Sequence, residues 1–184
     1  MFVSKLISIV FLLLFTPVMF LIGIIILIDD GWPIFFFQKR IGYKNANFNL
    51  IKFRTMNKDM EDIPTHLLNP NNCIYTRSGP FLRKFSLDEI PQLINIFKGH
   101  MKFIGPRPAL FNQKDLITLR TESGVHKIFP GITGWAQING RDEITVKEKV
   151  QLDKFYLTNQ SILLDIKIML LTFFKVLKAD GVSS

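Results

Sequence analysis

An uninterrupted apolar run near the N-terminus dominates the pattern of hydrophobic and polar positions. Residues 6–28 carry no charge, and at about 1.5 Å per helical residue the run can cross a ~30 Å hydrocarbon core. A cleaved signal peptide would have a shorter apolar core followed by a small-residue cleavage site. A buried core helix fits less well, because so small a domain could hardly cover every face of it. We therefore predict a membrane anchor over residues 1–30 and one further domain over residues 31–184.

Pro17 lies near the middle of this anchor and predicts a kink, because proline removes one backbone hydrogen bond and clashes with the preceding turn. Thr16, just before it, is expected to bond back to a carbonyl and deepen the bend. Two topologies remain open on composition alone. The helix either spans the membrane with a tolerated proline, or turns back and leaves by the face it entered.

After the anchor, the pattern alternates between short strands and amphipathic helices. Aromatic and branched residues predict strands over 34–38 and 48–53, joined by a turn that contains Gly42, Asn45 and Asn47. Helices are predicted over residues 81–98, ending at Gly99, and over 112–122 and 146–156. Loops rich in glycine, proline and asparagine are predicted over residues 103–108 and 130–141, and a loop that could contain a short helix is predicted over residues 57–80. The expected fold class is α+β and mostly helical, with a small β-hairpin.

The last long segment, residues 161–178, is strongly apolar but carries Asp165 and three spaced lysines. This pattern suits an amphipathic helix in the lipid headgroup region, with its lysines reaching toward water. A core helix of the domain explains it about equally well.

The charge balance changes the expected partners. The net charge is +8 and the pI is about 9.7, which would favour nucleic acid for a soluble protein. Beside an apolar anchor, anionic lipids and phosphorylated substrates explain it better. Cys73 is the only cysteine, so no intramolecular disulfide forms. Basic residues follow the anchor and favour a cytoplasmic position for the domain: Lys39, Arg40, Lys44, Lys52 and Arg54.

The candidate chemistry centres on residues 83–93, RKFSLDEIPQL. Ser86 and Glu89 fit a capping box at a helix start, or Asp88 is the cap and Pro91 falls in the first turn. In either register the carboxylates of Asp88 and Glu89 lie at a positive helix terminus beside basic residues. An ionised aspartate can accept a phosphoryl group, and a neighbouring glutamate can hold Mg²⁺. On these grounds a structural and a catalytic interpretation are evenly matched.

Two further motifs are weak by themselves. In residues 105–108, GPRP, two prolines present Arg107 rigidly enough for bidentate phosphate contact, although an exposed loop arginine is the simpler interpretation. Residues 130–141, PGITGWAQINGR, combine close-approach glycines with Arg141, and Trp135 could stack on a base or sugar or lie at the membrane interface. The three histidines have no metal-ligand spacing and are interpreted as structural.

In combination, these motifs resemble those of the bacterial sugar transferases, the small monotopic phosphoglycosyltransferases. The resemblance extends from the kinked anchor to the final lysines and rests on residues 52–56 (KFRTM), 86–89 (SLDE), 105–108 and 130–137 in that order. It implies a re-entrant anchor helix broken at Thr16-Pro17, where the family has Ser-Pro, and a catalytic domain with interfacial amphipathic helices.

The resemblance also implies a reaction. A phosphosugar would move from a UDP-sugar to polyprenyl phosphate, usually undecaprenyl phosphate, with release of UMP and the start of lipid-linked glycan synthesis. Asp88 would be the nucleophile that forms an aspartyl-phosphosugar, and Glu89 would assist by holding Mg²⁺ with it. The basic residues expected to bind phosphate are Arg83, Arg107 and Arg141, with Lys52 and Arg54 as further candidates. Asp165 matches an acidic family position of unassigned role.

The expected location is the cytoplasmic face of the bacterial inner membrane. Expected partners are the UDP-sugar, undecaprenyl phosphate and membrane lipids, with no nucleic acid and with a homodimer left open. Two alternatives remain: a non-catalytic, membrane-tethered basic module that binds anionic lipid, and an inactive scaffold for glycan assembly.

Overall fold

A computed structural model describes residues 1–57, 75–140 and 144–178 of the 184-residue chain. Its helices are α1 (Phe2–Asp30), α2 (Gly79–Lys84), α3 (Gln92–Lys98), α4 (Lys114–Glu122), α5 (Trp135–Ile138), α6 (Val146–Thr158) and α7 (Ile162–Lys178). Its strands are β1 (Phe35–Ile41), β2 (Asn47–Phe53), β3 (Lys102–Ile104), β4 (Ala109–Leu110) and β5 (Gly131–Thr133). The fold class is the mostly helical α+β class that the sequence predicts.

The predicted hairpin is confirmed and forms two of the three strands of the larger sheet. β1 and β2 pair antiparallel, from Phe35 opposite Phe53 to Ile41 opposite Asn47. Strand β4 joins the free edge of β1, so that the sheet has the order β2-β1-β4. This pairing brings the chain that follows residues 105–108 alongside the hairpin.

The prediction of a plain loop over residues 130–141 is wrong in part. Strand β5 pairs parallel with β3, and helix α5 follows directly. The local signal for β5 is weak because the strand has only three residues and its partner is distant in sequence. Arg141 lies outside the described residues.

The prediction of one helix over residues 81–98 is also wrong. Helix α2 ends at Lys84, a 3₁₀ turn spans Leu87–Glu89, and α3 begins at Gln92. Ser86 adopts a left-handed conformation with φ of 54°, and its side chain makes no capping bond. Pro91 is the N-cap of α3, so neither proposed capping register is correct. Proline lacks an N–H and disfavours a helix that continues through it, which places the break here. The predicted end at Gly99 is confirmed.

Helix α1 continues through Pro17, and Thr16 Oγ1 donates to the Leu12 carbonyl at 2.6 Å, as expected. An 18-residue stretch of α1 has a mean hydropathy of 3.0, so the helix is apolar and long enough to cross a membrane by length and composition. Its re-entrant shape stays a prediction.

One side of α1 packs along the domain and completes its core. Leu12 and Phe15 contact a cluster built from β2, α3 and Met101. Further along, Ile22 and Ile26 are buried against Phe53 of β2 and Leu82 of α2. The anchor therefore supports the elements on either side of Asp88 and Glu89 directly.

Helix α7 touches the domain along one narrow edge. Ile168 is fully buried, and the hydroxyls of Thr172 and Thr133 lie 2.6 Å apart. Its other large apolar side chains are mostly exposed, and among them are Leu163, Leu170 and Phe173. Its predicted place in the headgroup region stays a prediction.

Candidate active site

The 3₁₀ turn between α2 and α3 holds the two predicted catalytic carboxylates. Asp88 and Glu89 are only 7% and 8% exposed, although both are acidic. The left-handed backbone at Ser86 reverses the chain just before them, and Leu87 and Ile90 pack into the core beside them. The local break in the helix is therefore what directs two adjacent carboxylates inward.

Two cations from distant parts of the chain meet Glu89. Lys52 Nζ, on β2, lies 2.8 Å from Glu89 Oε1 and 3.7 Å from Asp88 Oδ2. Arg107 Nη2, on the turn after β3, donates to the same Glu89 oxygen at 3.0 Å. The fold thus brings together four residues from three separate parts of the sequence. The Arg107 side chain, for which an exposed loop position was the simpler interpretation, is 28% exposed and bound to a carboxylate.

Burial and charge oppose each other at this site. Burial raises the pKa of Asp88, and the neighbouring charge of Glu89 raises it further, whereas Lys52 is the strongest influence that lowers it. Burial lowers the pKa of Lys52, and the charge of Glu89 counteracts that effect. Lys52 therefore favours the ionised form of Asp88 against burial and against the charge of Glu89, and a further cation would favour that form too.

The remaining predicted cations lie in other surroundings. The Arg83 guanidinium lies over the Tyr75 ring at 5.0 Å and donates to Met56 Sδ at 3.4 Å, but its charge still lowers the pKa of Asp88. Arg54 donates from Nη2 to the carbonyls of Asp30 and Gly31 at the end of α1. The structure thus places Arg54 against the anchor, and its phosphate-binding role stays a prediction, as does that of Arg141.

The residues fit the Mg²⁺ that the sequence predicts. Mg²⁺ is commonly bound through one or two carboxylates, with waters and substrate phosphates completing its shell. Asp88 and Glu89 supply adjacent buried carboxylates, and the raised pKa of Asp88 marks a place where added positive charge is favourable. Within the described ranges, no group of three or more His, Cys, Asp or Glu residues forms an all-protein metal cage. Asp88 and Glu89 would hold the ion.

Three polar contacts near or behind the site were not predicted from the sequence. Arg120, on α4, donates from Nη1 to the Arg107 carbonyl at 2.8 Å and pairs with the buried Asp153 of α6. Tyr156 donates its hydroxyl to Asp165 Oδ1 at 2.8 Å, which gives Asp165 a role in joining α6 to α7. The sequence signal for the Arg120–Asp153 pair is a charged residue on the buried face of a helix. Arg120 comes four residues after the buried Leu116, and Asp153 lies between the buried Val150 and Tyr156.

Trp135 has a structural position. Its ring stacks on Phe155 with a centroid distance of 5.3 Å, and Lys167 Nζ lies 5.5 Å from its centroid. It packs against the buried cluster that joins α5, α6 and α7. Packing within the domain explains the position of Trp135 without a contact to a ligand or to the membrane.

Two buried carboxylates that face a lysine and a rigidly held arginine form a site of the kind that binds and transfers phosphate groups. The family model for bacterial sugar transferases matches residues 1–179. The chain belongs to the bacterial sugar transferase family. Its enzyme class is therefore the one that its motifs predict.

Curated relatives support this assignment over nearly the whole chain. The uncharacterized sugar transferase EpsL of Bacillus subtilis (strain 168) is 44% identical over 174 residues, which are 94% of this chain and 85% of the relative. The undecaprenyl-phosphate glucose phosphotransferase of Komagataeibacter xylinus is 40% identical, over 90% of this chain and 33% of the relative. The UDP-glucose:undecaprenyl-phosphate glucose-1-phosphate transferase of Escherichia coli (strain K12) is 39% identical, over 89% of this chain and 37% of the relative. The chain thus spans most of the first relative but about a third of the other two.

Proposed function

We propose that this protein transfers a phosphosugar from a UDP-sugar to undecaprenyl phosphate and releases UMP, as the first step of lipid-linked glycan synthesis. The observation that carries the proposal is the meeting of Asp88 and Glu89 with Lys52 and Arg107, which come from three separate parts of the chain. The names of the two relatives above support the acceptor, since both contain undecaprenyl phosphate, and the name of the Escherichia coli relative also contains a UDP-sugar donor.

The reaction proceeds in two displacements at one phosphorus atom. An ionised oxygen of Asp88 attacks the phosphorus that bears the sugar, and the bond from that phosphorus to the bridging oxygen breaks, so that UMP leaves with the bonding electrons. A phosphate oxygen of undecaprenyl phosphate then attacks the aspartyl-phosphosugar. The Asp88–phosphorus bond breaks, and the carboxylate is regenerated.

The surrounding residues lower the cost of bringing anions together. Lys52 favours the ionised form of Asp88 and offsets charge on the diphosphate, while Arg107 presents donors to the phosphate oxygens from its fixed turn. Glu89 orients both cations through one oxygen. Bound Mg²⁺ would neutralise negative charge on the transferring and leaving phosphates.

The anchor is inferred to enter and leave the membrane on the cytoplasmic face. Near its start, the Lys5 side chain lies next to Gly99, with Nζ 3.1 Å from the position a Cβ would take there. At its other end, Asp29 Oδ2 accepts bonds from Ser78 N and Oγ at 2.7 and 2.8 Å. A straight crossing would carry one of these ends away from the domain, whereas a re-entrant helix keeps both with it.

Cysteine labelling tests this topology. In a Cys73→Ser background, a cysteine at Ser4 is expected to resist an impermeant thiol reagent in intact cells and to react after permeabilisation. Phe2→Cys, on the same end of α1, should behave alike. Labelling of both positions from outside the intact cell would contradict the re-entrant anchor.

The covalent mechanism is tested by isotope exchange. The full chain in nanodiscs is given Mg²⁺ and a panel of UDP-sugars. Repeated turnover, measured as UMP release, should require undecaprenyl phosphate. Without that acceptor, labelled UMP should enter the active UDP-sugar, because the first displacement is reversible. Asp88→Asn should abolish both reactions, whereas the exposed control Asp115→Asn should preserve them. Turnover without exchange would contradict the aspartyl intermediate, and binding of anionic lipid without turnover would favour the non-catalytic alternative.

A further inference from the structure

The turn that carries Arg107 is held at three consecutive carbonyls. Pro106 and Pro108 have fixed φ angles and no N–H groups, so little conformational freedom remains at this turn. The carbonyls of residues 106, 107 and 108 each accept a hydrogen bond from another part of the chain, at 3.0, 2.8 and 2.9 Å. The donors, in the same order, are Gly131 N, Arg120 Nη1 and Arg40 Nη1.

The middle bond has the most specific construction. Arg120 is 7% exposed and Asp153 is 2% exposed. Arg120 Nε and Nη2 both donate to Asp153 Oδ2, at 2.9 and 2.6 Å. The fork of the guanidinium is therefore divided: one edge is fixed by the carboxylate, and Nη1 is left directed at the Arg107 carbonyl.

A buried ion pair is a poor explanation for stability. Removing two charges from water costs about as much as their attraction returns, and apolar residues of similar volume often serve as well or better. The pair does, however, supply a donor of fixed direction, which an apolar pair would not. That donor ends on the backbone of Arg107, whose side chain binds Glu89.

We propose that Arg120, oriented by Asp153, is a positioning residue for phosphosugar transfer, which sets where the Arg107 guanidinium meets Glu89 and the phosphates. The inference rests on the proposed function. Arg120 and Asp153 act through the Arg107 backbone and not on the substrate.

The decisive variant replaces the whole pair, Arg120→Met with Asp153→Leu. It leaves no unpaired buried charge, so its melting temperature is expected to stay close to that of the wild type. Arg107 loses its brace, and a misplacement of about 1 Å can cost on the order of 10²-fold in rate. We expect kcat for UMP release to fall by about tenfold or more, with a smaller change in KM.

A double-mutant comparison separates positioning from a general loss of structure. In an Arg107→Ala background the pair replacement should cause little further loss, because the group it positions is already absent. Thr145→Ala is the matched control on α6, since it removes that helix's capping box at a cost of about 1 kcal/mol without touching the site. It should lower stability but leave kcat unchanged.

Arg120→Lys and a chemical probe complete the test. Lysine keeps the charge for Asp153 but lacks the divided fork, so kcat should fall even if the pair replacement does not fold. Phenylglyoxal modification of Arg107, measured by peptide mass spectrometry, needs no turnover and should be faster in both variants. Wild-type kcat in folded variants, additive losses with Arg107→Ala, or unchanged modification rates would overturn the proposal. An inactive wild type would instead contradict the proposed function.

Discussion

The two sides of the candidate active site are built in opposite ways. On the carboxylate side, Asp88 and Glu89 are buried on a 3₁₀ turn that follows a left-handed residue, and burial raises the pKa of Asp88. On the arginine side, the turn over residues 105–108 has three successive carbonyls bonded to other elements. One side holds reactive groups at an electrostatic cost, and the other holds a charge in a fixed place.

The difference indicates how the tasks are divided. A nucleophile must form a new bond during the reaction. A carboxylate with a raised pKa is more basic, and its ionised form is therefore more reactive. A group that stabilises charge is most effective when it does not reorganise. We therefore expect changes on the carboxylate side to alter rate and pH dependence, and changes on the arginine side to alter the rate through the geometry of the site.

Among the changes that test this division, Glu89→Gln should have the largest effect, because Glu89 pairs with both Lys52 and Arg107. The amide keeps the shape but removes the charge that pairs with Lys52 and Arg107. UMP release should fall by about 10²- to 10³-fold, the range seen when one preorganised electrostatic contact is lost. The Mg²⁺ concentration for half-maximal rate should also rise.

Both quantities are measured by titrating Mg²⁺ in the UMP-release assay. Glu122→Gln is the matched control, since that side chain is exposed at the end of α4. An unchanged rate in Glu89→Gln would show that the two sides act independently.

Gly134→Ala should disturb the arginine side through packing alone. Gly134 is extended, with φ of −175°, so alanine adopts its backbone without strain. A Cβ there would instead overlap the carbonyl oxygen of Gly105, at the start of the arginine turn. Overpacking of this kind costs about 1–3 kcal/mol, and we expect a lower melting temperature together with a lower kcat.

Gly23→Ala in α1 is the control for that variant. A Cβ at Gly23 would lie 3.7 Å from Ile34, an ordinary contact, and alanine favours a helix. A stable Gly134→Ala protein with normal kcat would contradict the close approach of these two turns.

The same contrast explains how far the sequence alone could lead. Local periodicity was enough for α1, the hairpin and helices α4, α6 and α7, because each is long or strongly patterned. It failed at residues 86–91, where Ser86 and Glu89 match a capping box although the chain makes a left-handed turn instead. A four-residue motif reports local preference, and packing of Leu87 and Ile90 decided between the alternatives.

For the site, the motifs indicated candidates but not their partners. Lys52, Asp88 and Arg107 were each suggested by their surroundings in the sequence, and the fold brings them together. The Arg120–Asp153 pair was missed because its residues are far apart and belong to no motif. Arg54 lies in a basic stretch like Lys52, yet the structure places it on the carbonyls at the end of α1. Neither residue type nor strand alternation could separate these two cations, because side chains two residues apart on a strand point to the same face. Lys52 lies within β2, whereas Arg54 lies just beyond the end of that strand at Phe53, beside the end of α1.

Lys52→Met sharpens the comparison through pH. Asp88 must be ionised to attack, and Lys52 is the strongest influence that lowers its pKa. Without the lysine, the pKa of Asp88 rises further, so the acid limb of kcat/KM for UMP release should move to higher pH. Lys39→Met, at an exposed position on β1, should leave the limb in place. A limb that moved to lower pH, or not at all, would contradict the role of Lys52.

Tyr156→Phe should have the smallest effect on kcat, because it removes a contact of α6 that lies away from the Arg120–Asp153 pair. Burial and the hydrogen bond to Asp165 raise the pKa of the Tyr156 hydroxyl, so it donates throughout the physiological range. Loss of this bond should lower the free energy of unfolding by about 1 kcal/mol or slightly more, since Asp165 would lose its partner.

Tyr156 lies three residues beyond Asp153 on the same helix, so a shift of α6 would reach Arg120 only weakly, and kcat should change less than twofold. Denaturant unfolding and UMP release on the same preparation measure both quantities. A large loss of kcat would mean that the contact between α6 and α7, and not the Arg120–Asp153 pair alone, sets the position of Arg107.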